Sequence, residues 1–238
     1  MTNDNQEKVL RFMLEKAGNA IIKVKGYSMF PELSEGDSIS LRKFQKYDIG
    51  DILVYNYNGE GLLVHRLLSI SDLFVCKGDY AFRFEKINLS EIIGKVTLIN
   101  GRTIRQWDFW KIDLSYEIGK MYSECNSVEE VKNTSLYKLY YSIVLKEQPE
   151  PFIFCSETYK YVSFNHNHLA CKCILPDGHL EEYYDIDSNI IFSAIQKLPM
   201  SSFFNRLYSL YPCIDQRLEN IILARLCSLI QSQVLTIQ

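Results

Sequence analysis

The chain has 238 residues and a formal net charge of −3, with 47% hydrophobic and 23% charged residues. This length accommodates one large or two small domains, and the hydrophobic content is typical of a globular rather than a disordered chain. The weak negative charge leaves no broad basic field, so we expect no nucleic acid as a main partner.

The cysteines and the apolar runs indicate the cellular setting. Seven cysteines are an odd number, and their spacing lacks the pairs of a secreted disulfide scaffold. We therefore expect reduced thiols and a cytoplasmic location. No apolar run approaches the roughly 18 residues of a transmembrane helix. The polar start of the chain (1–5) is unlike a secretory signal.

Residues 5–17 are predicted to form an amphipathic helix. Val9, Phe12 and Met13 follow helical spacing, and Gly18 ends the pattern. The short length and mixed charges favour a helix that covers one end of the core. Peripheral contact with a membrane surface is the alternative interpretation.

Residues 20–104 alternate between short β-like runs and turn residues. The predicted strands are 21–24, 38–41, 52–57, 62–70, 73–76 and 92–99. Asn58-Gly59 between two of these runs indicates a hairpin, because both residues tolerate the positive φ of a tight turn. Many short strands at this spacing predict a small antiparallel barrel or folded sheet.

Beyond this region the sequence becomes helical and then mixed. Residues 107–146 are predicted to be helical. Residues 148–151 (Gln-Pro-Glu-Pro) are the predicted domain boundary, because alternating prolines cannot continue a helix.

The C-terminal part is predicted to contain three strands and then three helices. The strands are 159–164, 169–175 and 180–186, and the helices are 189–198, 201–211 and a longer one capped by Asp215. The expected core of this part consists of Phe203, Leu207, Leu210, Leu218, Ile222 and Leu226. This order of elements allows a winged-helix-like module, similar to the peptide-binding domains of some peptide-maturation systems.

The strongest chemical signal is a serine followed by a histidine. Ser28 lies in a bend between a short apolar strand and a turn limited by Pro31, and His65 lies within the later run 62–67. A hydroxyl is a weak nucleophile at neutral pH unless a neighbouring base takes its proton. Histidine titrates nearest neutrality and is the commonest such base.

Six short motifs around these two residues occur in one order. They are Gly26-x-Ser28-Met29-x-Pro31, Gly36-Asp37, Gly50-Asp51-Ile52-Leu53-Val54, Val64-His65-Arg66-Leu67, Lys77-Gly78-Asp79 and Ile93-Gly94-Lys95-Val96. Together they resemble the serine peptidase superfamily of type I signal peptidases and LexA-type self-cleaving proteins, over about residues 20–105. Bacterial relatives commonly have a lysine as the base, whereas His65 is similar to the archaeal and endoplasmic-reticulum branch.

The resemblance implies a role for each matching residue. Ser28 is the expected nucleophile and His65 the expected base. Asp79, with Glu85 as the alternative, is expected to accept the second imidazole N–H. Gly26 carries no hydroxyl for the oxyanion, so a backbone N–H of Ser28 is expected to serve, and Met29 is expected to line the floor beside the nucleophile.

Each of these residues also has a structural interpretation. A serine in a turn is more often structural than catalytic, and a histidine in mid-strand is often a satisfied core residue. Lys77-Gly78-Asp79 is also an ordinary turn sequence. The ordered motifs favour the catalytic interpretation of Ser28 and His65 over these structural interpretations.

A second group of thiols and imidazoles invites a zinc interpretation. Its members are Cys155, His166, His168, Cys171, Cys173 and His179. The pairs at i, i+2 place both members on one face of a strand, whereas structural zinc sites usually space cysteines by two to four intervening residues. We therefore expect no metal site here, and no cofactor.

The sequence thus predicts a mainly β catalytic region at residues 1–106 with a signal-peptidase/LexA-like folded sheet. A helical connector at 107–147 and an α+β accessory domain at 148–238 are expected to follow. The predicted function is a soluble serine endopeptidase that makes a limited cut in a peptide or protein precursor. The alternative is a catalytically degenerate peptidase fold that binds a peptide or protein partner. A self-cleaving regulator is less favoured, because the sequence lacks a DNA-binding N-terminal domain.

Overall fold

The structure, a computed structural model, describes residues 3–59, 61–145, 152–155, 160–165, 170–174, 179–211 and 213–237. The chain forms two compact units, Met1–Val128 and Glu129–Gln238.

The first unit is built on one antiparallel sheet of eight strands. The strands are β1 (Ala20–Lys23), β2 (Ser38–Arg42), β3 (Ile52–Asn56), β4 (Leu62–Ile70), β5 (Phe74–Lys77), β6 (Glu85–Ile87), β7 (Ile92–Ile99) and β8 (Arg102–Thr103). They are ordered β1-β2-β7-β3-β4-β5-β6, with β8 paired to β7. The prediction of an antiparallel folded sheet is confirmed, and β6 is a strand that the sequence pattern did not indicate.

Strand β3 lies in the middle of the sheet and is buried on both faces. Ile52 and Val54 belong to one apolar cluster, whereas Leu53 and Tyr55 belong to another. Successive side chains of a strand point to opposite faces, so a strand covered on both sides becomes a continuous apolar run. The turn after β3 has positive φ at Asn58 (53°) and Gly59 (73°), as the hairpin prediction required.

Helix α1 (Asn3–Ala17) covers one face of this sheet. Leu10 and Leu14, one helical turn apart, are both buried in the cluster that contains Ile52. The Arg11 guanidinium donates hydrogen bonds to the backbone carbonyl groups of Ser90 and Ile92. The predicted helix is therefore anchored by apolar burial and by a side chain–backbone network. Among the helices of the described ranges, none combines the length and hydropathy needed to cross a membrane.

Helix α2 (Phe109–Cys125) is part of the first unit. A Cβ built on Gly119 would lie 2.4 Å from the Phe84 ring, and one on Gly50 would lie 3.2 Å from Ile112. These close approaches hold α2 against the loop before β6 and the turn before β3. The predicted helical segment 107–147 is thus divided between the two units.

The second unit begins with short helices and continues with two small sheets and three further helices. The helices are α3 (Val128–Asn133), α4 (Ser135–Tyr140) followed by a π turn (Tyr141–Leu145), α5 (Asp185–Ser193), α6 (Met200–Tyr208) and α7 (Gln216–Gln231). The strands are β9 (Phe152–Cys155), β10 (Lys160–Asn165), β11 (Ala170–Ile174), β12 (Leu180–Tyr184), β13 (Leu198–Pro199) and β14 (Leu235–Ile237). Their sheets are ordered β10-β11-β12 and β13-β9-β14.

The predicted order of three strands and three helices is present as β10–β12 and α5–α7, and the second sheet was not predicted. Phe203, Leu207, Ile222 and Leu226 are fully buried, while Leu210 and Leu218 are half-buried. The proline-rich boundary at 148–151 lies outside the described residues. A role of this unit as an accessory peptide-binding module stays a prediction.

The position of α2 predicts which fragment folds alone. Residues 1–128 should unfold cooperatively, whereas residues 1–106 should have a much lower melting temperature. Removing α2 exposes the part of the first unit that this helix covers. Each large apolar side chain that loses its burial there costs roughly 1.5–3 kcal/mol. Thermal unfolding followed by circular dichroism measures the difference. Equal melting temperatures for the two fragments would contradict the assignment of α2 to the first unit.

Candidate active site

Ser28 and His65 lie side by side although 37 residues separate them in sequence. Ser28 is exposed in the turn that follows β1, and His65 is buried in the middle of β4. The Ser28 Oγ and His65 Nε2 atoms are 2.9 Å apart. With the imidazole neutral and its proton on Nδ1, the hydroxyl donates to Nε2, which is the arrangement that a general base requires.

The other imidazole nitrogen faces Glu85. His65 Nδ1 and Glu85 Oε2 are 2.9 Å apart, and both side chains are less than a tenth exposed. The Tyr55 hydroxyl donates to the same carboxylate oxygen over 3.2 Å. Burial is the main cause that raises the pKa of Tyr55, with smaller contributions from Cys76 and then Glu85, so this phenol stays protonated as a donor. The carboxylate is thus fixed by two partners and can hold the proton on Nδ1.

Asp79 has a different partner from the one expected. Arg66 Nε donates to Asp79 Oδ1 over 2.9 Å, and Arg66 Nη2 donates to Asp79 Oδ2 over 2.7 Å. Both side chains are completely buried. The guanidinium also donates to the Gly50 carbonyl over 3.0 Å and stacks 3.7 Å from the centre of the Trp107 ring. Of the two carboxylates considered from sequence, the structure therefore places Glu85 on the imidazole and Asp79 on Arg66.

The segment between β5 and β6 holds the turn that carries Ser28. The backbone N–H of Tyr80 donates to the Ser28 carbonyl over 2.8 Å. A Cβ built on Gly78 would lie 2.4 Å from that carbonyl oxygen and 3.0 Å from His65 Nε2, so only glycine fits at this position. Asp79 lies between Gly78 and Tyr80 in the chain. Its ion pair with Arg66 therefore holds both of these residues against the turn that carries Ser28.

Lys77 anchors the same segment from below. Its ammonium group is fully buried and donates to the backbone carbonyl groups of Gly78 (3.0 Å) and Ala81 (2.7 Å). Burial lowers the pKa of Lys77 to about 8, although the negative charges of Asp79 and Glu85 oppose this shift. The three consecutive residues thus act differently: Lys77 binds backbone carbonyl groups, Gly78 allows the close approach to Ser28, and Asp79 pairs with Arg66.

A cleft of about 1020 Å³ opens beside Ser28. Gly26 lines it at a φ of 80°, with nothing within 4 Å of an added Cβ, so its glycine is required by backbone conformation rather than by space. Met29 also lines it and is only 2% exposed, because it belongs to the core cluster beneath the cleft. Both residues therefore border the nucleophile, as the sequence suggested.

Sequence reasoning missed Tyr55, Arg66 and Lys77 as parts of the site. Arg66 is the clearest case, since it follows His65 directly in a strand whose other residues are mainly apolar. A charged residue within such a strand indicates a buried partner, because an isolated buried charge is too costly. Nothing comparable marks Tyr55, whose hydroxyl is used while its ring belongs to the core.

The Cys/His group remains without a structural test. The side chains of His166, His168, Cys171 and Cys173 lie outside the described residues. Within the described ranges, no group of three or more histidine, cysteine or acidic residues could hold a metal ion.

Comparison with known proteins agrees with this geometry. Residues 2–96 match the model of a family described as Peptidase S24-like. This part of the chain is therefore similar to the LexA/signal-peptidase-like superfamily of serine peptidases. The match ends before α2, so it covers neither the rest of the first unit nor any of the second. A search of curated proteins found no match.

Lys77 gives the folded chain a particular dependence of stability on pH. The pKa of this group is about 8 in the folded chain against an ordinary value of 10.5, so between these values the unfolded chain binds more protons. The stability contributed by Lys77 therefore rises with pH across this window and is lost as the pH falls back through about 8. Between pH ~8 and ~10, the unfolding free energy of the wild type should gain on the order of 1–2 kcal/mol over that of Lys77→Met.

Urea titrations at the two pH values measure this change, and tyrosines that titrate in both proteins cancel in the difference. Lys46→Met, at an exposed position, is the matched control and should show no such gain. A wild-type minus Lys77→Met difference that stays constant with pH would contradict the assigned burial of the ammonium group.

Proposed function

We propose that the first unit is a serine endopeptidase that makes a limited cut in a peptide or protein precursor. The observation that carries this proposal is the row of two short contacts, 2.9 Å from Ser28 Oγ to His65 Nε2 and 2.9 Å from His65 Nδ1 to Glu85 Oε2. The family match supports a peptidase fold, and the geometry of these three side chains supports an activity.

The proposed reaction follows from the order of the three groups. Ser28 Oγ attacks the peptide carbonyl carbon while His65 Nε2 takes the hydroxyl proton, and the protonated imidazole then gives that proton to the leaving amine. Glu85 holds the imidazole in the correct tautomer and stabilises its positive charge. A water molecule that gives its proton to His65 then attacks the acyl-enzyme, and the imidazolium returns the proton to Ser28 Oγ as the acid product leaves. The backbone N–H of Ser28 is the proposed donor to the oxyanion, since Gly26 has no side chain to supply one.

The sheet offers the substrate two strand edges beside Ser28. β1 pairs with β2 on one side only and is the terminal strand of the sheet order. The start of β4 also lines the cleft, and the pairing of β4 with β5 begins only at Arg66. An extended peptide in this cleft would form backbone hydrogen bonds as an added strand, which places its carbonyl groups in a fixed register at Ser28. Such binding favours one limited cut over general digestion.

The function is tested by removing the nucleophile. Ser28→Ala should abolish cleavage of a mixed peptide library, detected by mass spectrometry as new peptide ends. The free energy of unfolding should change by about 0.5 kcal/mol or less, as for an ordinary exposed substitution. Ser71→Ala, in the exposed turn after β4, is the matched control and should retain full activity. Equal cleavage by wild type and Ser28→Ala would end the proposal and favour the peptide-binding alternative.

The two carboxylates should differ in what their loss changes. Glu85→Gln should lower kcat on the order of 10²–10⁴-fold while leaving the melting temperature nearly unchanged, because an amide cannot stabilise the imidazolium. Asp79→Asn should cost about 3 kcal/mol or more of stability, because it removes the bidentate carboxylate of the fully buried Arg66 guanidinium and leaves only Glu32, whose carboxylate is 3.7 Å away. Kinetics and thermal unfolding of both variants measure the contrast. The reverse pattern would assign Asp79, rather than Glu85, to the imidazole.

A further inference from the structure

Helix α1 forms a wall of the cleft that contains Ser28. Gln6, Val9 and Met13 line this cleft, together with the outer edge of β1 and the residues that follow it up to Ser28. Positions 6, 9 and 13 lie on one face of a helix. A peptide that extends from Ser28 along β1 would therefore come between the strand edge and this helix face.

The helix is held firmly enough to act as a wall. Leu10 and Leu14 on its neighbouring face are each 5% exposed in the core, and the Arg11 guanidinium binds carbonyl groups at the start of β7. The Glu7 carboxylate pairs with Arg11 and accepts a hydrogen bond from the Asn56 side chain at the end of β3. Side chains on a helix with four separate anchors can present a defined shape to a ligand.

Two of the three exposed side chains of this wall, Val9 and Met13, are apolar, and the third, Gln6, is polar and uncharged. Val9 is 48% exposed and Met13 is 38% exposed, and Ile22, the half-buried β1 residue that packs with the cluster of Leu10 and Leu14, lines the same cleft. The charged residues of the cleft lining are Lys23 and Lys25, both on the β1 side. Apolar groups left in water beside a nucleophile gain free energy when a substrate side chain covers them. The two lysines would disfavour a basic substrate side chain close to them.

We propose that Val9 and Met13, with Ile22, form a subsite for an apolar side chain of the peptide substrate. This inference rests on the proposed function, because it takes the cleft as the place where the peptide lies. Ile22 is six residues before Ser28, and an extended strand rises roughly 3.3 Å per residue. The apolar substrate residue therefore lies several positions from the scissile bond. The substrate class is an extended precursor segment with an apolar residue at that distance and without basic residues between.

Phe12 provides a matched control on the same helix. It is 60% exposed, which makes it the most exposed of the helix's large apolar side chains, yet it is not part of the cleft lining. If α1 instead docks on a membrane surface, loss of Phe12 should matter at least as much as loss of Val9 or Met13. If α1 selects peptides, loss of Phe12 should change nothing.

The experiment compares cleavage of a mixed peptide library by the full-length wild type, Val9→Ala/Met13→Ala and Phe12→Ala. The wild type should enrich leucine, isoleucine, valine, phenylalanine and methionine at one position several residues from the cut. In the double variant this enrichment should fall about tenfold at that position alone, with KM raised and kcat little changed for a peptide containing leucine there. Phe12→Ala should behave as the wild type. An unchanged preference in the double variant, or an equal loss in Phe12→Ala, overturns the proposal.

A second measurement does not depend on catalysis. In a Ser28→Ala background, fluorescence anisotropy compares two labelled decapeptides, one with leucine at alternate positions in a Ser/Thr background and one with serine in place of each leucine. The leucine peptide should bind more tightly, and Val9→Ala/Met13→Ala should reduce that preference about tenfold. Equal binding of both peptides, or binding of neither, overturns the subsite. A wild type that cleaves nothing would contradict the proposed peptidase activity instead, and this binding result would still decide the subsite.

Vesicles of phosphatidylcholine and phosphatidylglycerol test the membrane alternative. The subsite proposal expects that the leucine preference is lost only in the Val9→Ala/Met13→Ala protein, whether or not vesicles are present. Vesicle binding that Phe12→Ala weakens most, combined with a peptide preference that no α1 variant alters, would identify α1 as a membrane-contacting helix and overturn the proposal.

Discussion

The buried ion pair between Arg66 and Asp79 is the interaction on which the site depends. Taking both charges out of water costs several kcal/mol per ion, and a bidentate geometry with further partners is needed to offset this cost. Here the guanidinium also has the Gly50 carbonyl and the face of Trp107. Because Asp79 is held in this way, its neighbours Gly78 and Tyr80 are fixed against the backbone of Ser28, and the nucleophile is presented by a rigid turn.

Strand β4 serves two purposes through the alternation of its side chains. Successive residues of a strand point to opposite faces, so His65 faces the Tyr55 cluster while Arg66 faces Asp79 and Trp107. One strand thus carries both the proposed base and the cation that positions the neighbouring loop. A shift of register by one residue would exchange these faces and remove both functions together. The pairing of β4 with β3 and β5 on either side makes such a shift costly.

The three proposed catalytic groups run from solvent into the interior. Ser28 is exposed, His65 is 4% exposed and Glu85 is 6% exposed. The nucleophile can therefore meet a large substrate, while the carboxylate acts on the imidazole where water competes least. Val9 and Met13 of α1 line the cleft that opens beside Ser28, at the exposed end of this row. Chemistry and substrate selection would then depend on different elements of one unit, the sheet for the first and the helix for the second.

Sequence alone determined much of this unit, because its signals are local. The runs of β4 and β7 and the Asn58-Gly59 turn follow from alternation and positive φ, and β4 was predicted with its observed bounds. The ordered motifs around Ser28 and His65 identified the superfamily that the family match also gives. The sequence favoured Asp79 over Glu85 as the partner of His65, and no local signal could correct that order, since both residues simply follow β5 along the chain. In the folded chain, the three-residue strand β6 pairs with β5 and sets Glu85 opposite Cys76, where its carboxylate meets His65. Asp79 is buried in its ion pair with Arg66 instead. A strand of three residues has too few positions to show a period, and which carboxylate meets which cation depends on distances that exist only after the chain has folded.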